Sequence, residues 1–69
     1  NKNNIIYMYN PFDEKVMEKF IVNNLEFLEK GCFLIYVNDL HREFLKKMLE
    51  KNITGYRRND FYQISVFKF

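Results

Sequence analysis

Hydrophobic residues fall along the chain in blocks of different period. Ile5-Ile6-Tyr7-Met8-Tyr9 is an unbroken run of β-branched and aromatic residues. A run this short, without alternation, predicts a buried strand covered on both faces. Asn10-Pro11 closes it, because proline cannot extend a central ladder and restricts the residue before it. From Asp13 to Lys30 the period lengthens. Val16, Met17, Phe20, Ile21, Asn24 and Leu28 recur at helical spacing, with Leu25 and Phe27 on the flanks. Asp13 and Glu14 suit the first turn of that helix, Lys30 its last turn and Gly31 its C-terminal cap. Cys32-Phe33-Leu34-Ile35-Tyr36-Val37 is a second run without alternation and predicts a second strand covered on both faces.

Asn38-Asp39 ends that strand and offers a helix N-cap. Leu40, Phe44, Leu45, Met48 and Leu49 then form one apolar stripe, with Arg42, Glu43, Lys46, Lys47 and Glu50 mostly outward, and the helix ends near Lys51-Asn52. Ile53 to Tyr56 and Phe61 to Phe69 read as two strands joined by a turn at Arg57-Arg58-Asn59-Asp60. In the last strand Tyr62, Ile64 and Val66 face one way and Phe61, Phe67 and Phe69 the other. The element order β-α-β-α-β-β predicts an α/β fold. The first crossover makes two strands parallel, and the last two strands form an antiparallel C-terminal hairpin at the edge. This is half of a doubly wound sheet, within a single partial domain over residues 1–69.

Composition sharpens the picture. The chain has 69 residues, 48% of them hydrophobic and 19% aromatic. A chain this short rarely covers so much apolar surface without a disulfide, a metal or a partner. One cysteine excludes an internal disulfide, and one His with one Cys argues against structural zinc. The shortage therefore points to a partner. The unpaired Ile5–Tyr9 edge predicts pairing with a second copy of the chain, as a homo-oligomer, or with a separate amino-terminal half. No run of about 18 apolar residues predicts a membrane span, and no leader is visible, so the expected compartment is cytoplasmic. A net charge of +2 is too small to argue for nucleic acid.

Ile5 to Phe12, IIYMYNPF, followed by an acidic helix start, resembles one point in the class I S-adenosylmethionine-dependent methyltransferases. There the fourth strand of a Rossmann-like sheet ends in an Asn/Asp-Pro-Pro-aromatic motif. Lys30-Gly31-Cys32 and the ending from Tyr62 to Lys68 are similar to the later elements of that family: a glycine before the fifth strand, a helix, and an antiparallel closing pair. The resemblance implies that Asn10, Pro11 and Phe12 position a substrate, Asn10 accepting a hydrogen bond from the target amine and Phe12 lining it. It also implies methyl transfer from S-adenosylmethionine by a complete protein. The family's glycine-rich cofactor loop and its ribose-holding acid belong to earlier strands. This chain alone is therefore expected to bind no S-adenosylmethionine and to have no activity. The alternative is a small α/β interaction or self-associating module without catalysis.

Other readings of the same residues stand beside these. Asn10 with Pro11 also suits a plain helix start, with Asn10 as cap and Pro11 at the first position. Asn38 and Asp39 either line the same crevice or cap the second helix. His41 reads as a solvated helix residue. Arg57-Arg58, near Tyr56 and Tyr62, offers phosphate contacts or simply solvated charge. Cys32 reads as an inert core thiol, and Phe61, Phe67 and Phe69 as core.

Overall fold

A computed structural model describes residues 4–9 and 13–69. Strand β1 (Ile5–Tyr9) leads to helix α1 (Glu14–Leu28), strand β2 (Phe33–Val37), helix α2 (Arg42–Leu49), strand β3 (Gly55–Asn59) and strand β4 (Ile64–Lys68). The predicted order of elements is present.

Local chemistry sets the boundaries. Asp13, in extended conformation, caps α1, its Oδ1 accepting from the Val16 N–H at 2.9 Å. The helix ends at Leu28. Gly31 then takes a φ of 110°, a left-handed conformation that favours glycine, and the chain enters β2. Asn38 leaves β2 with a φ of 57°, which asparagine tolerates better than most residues.

The four strands form one mixed sheet in the order β1-β2-β4-β3. β1 and β2 are parallel, while β4 lies between β2 and β3 and is antiparallel to both. β3 therefore runs parallel to β2, and the α1 and α2 crossovers step in the same direction across the sheet. Crossovers of one hand that step the same way deliver their helices to the same face. The core agrees. Met17, Ile21 and Leu28 of α1 and Leu45 and Leu49 of α2 join Met8, Leu34, Tyr36 and Phe67 of the sheet in one buried cluster. Two inner rows meet the helices: Ile6, Leu34, Phe67 and Tyr56, then Met8, Tyr36, Ser65 and Arg58.

Three expectations are corrected. The first two strands are not covered on both faces. Both helices pack on one face, so the described residues form a two-layer α/β arrangement and show no doubly wound sheet. Successive strand residues point to opposite faces, so the outer face carries three rows. These are Ile5, Phe33, Lys68 and Gly55; Tyr7, Ile35, Val66 and Arg57; and Tyr9, Val37, Ile64 and Asn59. Tyr7 and Tyr9 are each 63% exposed there. Second, only β3 of the closing hairpin lies at the edge, because β4 is interior. Third, Arg57 and Arg58 lie within β3 rather than in the turn. The turn comes after Asn59 and holds Phe61, which is 84% exposed and not core; Phe67 and Phe69 are buried as expected.

Candidate functional site

In open α/β sheets ligands gather beyond the carboxyl ends of parallel strands. Here that edge holds the ends of β1, β2 and β3. The sequence candidates Asn10, Pro11 and Phe12 lie in the connection after β1 and outside the described residues. The described chain resumes at Asp13, the N-cap of α1, which starts at Glu14.

Beyond β2, Asp39 turns into the protein and is only 2% exposed. It does not cap α2, whose N-cap position is held by His41 without a side-chain cap bond. Its partners come from the closing hairpin. Arg58 donates through Nε to Oδ2 at 2.7 Å and through Nη2 to Oδ1 at 2.9 Å, a two-pronged guanidinium–carboxylate contact. Ser65 Oγ also donates to Oδ2. A carboxylate only accepts, so the Ser65 proton is committed to Asp39, and the Tyr56 hydroxyl, 2.9 Å away, must donate to Ser65. Asp60 and Arg42 complete the cluster, pairing with Arg58 and Asp39 respectively.

The electrostatics result from this geometry. Burial pushes the Asp39 carboxyl up, but the hydrogen bonds from Arg58 and Ser65, with the charges of Arg58 and Arg42, outweigh it and leave the carboxyl below its ordinary value. A carboxylate held ionised near neutral pH, with its oxygens already engaged, is a poor general base. Asp39 ties the β2–α2 connection to β3 and β4. Nearby, Tyr36 is buried, and its hydroxyl accepts the His41 backbone N–H at 3.0 Å. Burial raises its pKa above the ordinary tyrosine value. The His41 bond opposes that rise, and the charges of Asp39 and Glu14 add to it. His41 is not free in solvent: its Nδ1 lies 3.3 Å from Glu14 Oε2 and joins the starts of the two helices.

The two arginines are separated by strand alternation. Arg58 points inward to Asp39, and Arg57 points to the outer face. They cannot close together on one phosphate. Cys32 is buried, its thiol directed to the Phe27 carbonyl, as a core residue would be. Sequence reasoning missed Ser65 and the pairing of Asp39 with Arg58. The available signal was Ser65 itself, one small polar residue in register with buried Phe67 and Phe69.

The described residues hold no glycine turn of the kind that would cradle S-adenosylmethionine. A phosphate- or nucleoside-binding glycine turn stands between a strand's carboxyl end and the next helix. Gly31 and Gly55 both stand at the amino ends of their strands. The acid at the carboxyl edge, Asp39, is buried and already engaged by Arg58 and Ser65. Among the described residues no three His, Cys, Asp or Glu side chains are grouped to hold a metal, and no helix is long and apolar enough to cross a membrane. No family model, no curated protein and no solved structure matches the chain.

Proposed function

We propose that this chain is the carboxyl-terminal half of a doubly wound α/β domain of the methyltransferase type. It has no cofactor site or activity of its own and lends the remaining half its substrate-side strand ends and a sheet face to cover. One observation carries the reading: a sheet backed by helices on one face only, whose other face bears three largely apolar rows. Parallel strands β1, β2 and β3 progress in one direction across the sheet, with antiparallel β4 between β2 and β3 and both helices on one side, which supports a reading as one half of a doubly wound order. In such folds the opposite face is covered too. The IIYMYNPF resemblance supplies the methyltransferase type, with Asn10, Pro11 and Phe12 as the substrate-positioning residues and S-adenosylmethionine as the cofactor of the complete protein.

Two measurements test this. Calorimetry of the chain with S-adenosylmethionine is expected to show no binding, and tight binding would contradict the reading. The codons upstream of Asn1 are expected to encode a strand followed by a glycine-rich turn, and an in-frame stop in their place would refute it. The second reading, a self-associating module, is favoured by β1, an edge strand with no further strand beside it among the described residues and with Ile5, Tyr7 and Tyr9 exposed.

A further inference from the structure

The outer sheet face is chemically uneven. Ile5, Tyr7 and Tyr9 are exposed along β1, and the two middle strands carry Ile35, Val37, Ile64 and Val66. The corner near the start of β3 is cationic. Arg57 and Lys68 stand there without an acidic partner among the described residues, and no Asp or Glu occupies any of the three rows. At that corner Gly55 contributes no side chain. A hollow of 260 Å³ results, lined by Phe33, Gly55, Tyr56, Arg57, Val66 and Lys68. Crowding does not require the glycine, because a Cβ built there would come no closer than 3.7 Å to the Lys68 side chain. The hollow is smaller than the roughly 300–1,000 Å³ of most small-molecule sites. It suits one large side chain.

We propose that an amphipathic helix covers this face, seating one large apolar side chain in the hollow over Gly55 and placing a carboxylate between Arg57 and Lys68. The proposal rests on the half-domain reading for the need of a cover and adds the chemistry of what covers it. A second copy fits less well as a lasting cover, and isolated chains are expected to meet through this face only weakly, at high concentration. Four strands of five residues span about 19 by 17 Å, roughly 300 Å² in projection; that is close to the footprint of one helix about 27 Å long and about 10 Å wide, and well short of the approximately 800 Å² that each globular partner commonly contributes to a stable interface. Face to face, a second copy would also bring no carboxylate from its own rows to meet the cations. Single-stranded nucleic acid fits less well again, because bases stack on rings beside a cationic track, and the exposed rings Tyr7 and Tyr9 lie on β1, across the sheet from Arg57 on β3.

The test is selection from a display library of amphipathic helices of about 18 residues, five turns, with a fixed apolar stripe and randomised flanks. The full chain is the bait. Three baits are compared: wild type, Gly55→Val, and Arg57→Glu with Lys68→Glu. Valine suits a strand and fills the hollow; thermal melts at or above the wild-type midpoint establish that the variants are folded. Wild type is expected to enrich Asp and Glu on one flank beside a large apolar residue. Gly55→Val should weaken the selected peptides about tenfold or more, and the charge-reversed bait should enrich Lys and Arg instead. Three results would overturn the proposal: no acidic enrichment, unchanged binding by Gly55→Val, or salt-sensitive displacement of the peptides by oligothymidylate from this same corner. Acidic helices selected here, together with an upstream sequence lacking the glycine-rich turn, would leave this proposal standing and remove the half-domain reading. The converse pair of results would remove this proposal alone.

Discussion

Replacing Asp39 by Asn tests whether the buried network holds the closing hairpin to the rest of the fold. Asp39 accepts three hydrogen bonds, two from Arg58 and one from Ser65. Asparagine has one acceptor oxygen, and its amide group would confront one of these donors with another donor. Breaking a fully buried ion pair costs about 3–5 kcal/mol. The Arg58 side chain keeps 20% exposure and a second carboxylate in Asp60, so the loss at Asp39 belongs at or below the lower edge, about 2–3 kcal/mol. A domain of this length has only about 3–10 kcal/mol in total. The melting midpoint should therefore fall by about 10–20 °C near neutral pH. The pH dependence adds a second check. The folded carboxyl lies below its ordinary value. Its contribution is thus complete above the unfolded value of about 3.9 and is lost as pH falls through the lower, folded value. Circular-dichroism melts of wild type and Asp39→Asn should differ widely near neutrality and converge below about pH 4. Midpoints within a degree or so of each other at neutral pH, or a gap unchanged down to strong acid, would refute the assignment.

The same packing sets other outcomes. Leu45→Ala removes a fully buried α2 side chain and should cost about 2–5 kcal/mol, enough to unfold much of the population in urea titrations at room temperature. Tyr7→Lys replaces an exposed edge residue; its stability should stay within about 0.5 kcal/mol of wild type while association at high concentration declines. Cys32 is buried, so a thiol reagent should modify it only at the rate of unfolding, and rapid stoichiometric reaction of the native chain would contradict its place in the core. Absorbance titration should show one tyrosine ionising above its ordinary value, absent in Tyr36→Phe. Because this group's value is raised, its contribution to stability is kept below the unfolded value and lost as the solution becomes more alkaline.

Much of the fold was legible in residue order. The unbroken runs at Ile5 and Phe33 became strands because β-branched and aromatic residues suit a pleated surface. Gly31 marked the α1 exit because a left-handed residue was needed there. The same runs also implied cover on both faces. They are apolar on both faces as read, but the described chain supplies helices for only one. The hairpin was misplaced because four polar residues resemble a turn. Arg58 belongs in a strand because Asp39, distant in sequence, pairs with it. Neither local propensity nor periodicity records a partner 19 positions away. The candidate site was legible only as types: Asn38-Asp39 reads as a cap until the chain is folded and Ser65 stands opposite.

Sedimentation equilibrium of the isolated chain tests the central claim, an outer sheet face that needs a cover, most directly. From about 10 μM to 1 mM, the range in which a small apolar interface begins to associate, the weight-average mass should rise above the 8.6 kDa of one chain. Val66→Lys, in the middle of the outer face, should suppress that rise. A mass of one chain across the whole range, with Val66→Lys indistinguishable from wild type, would contradict the account.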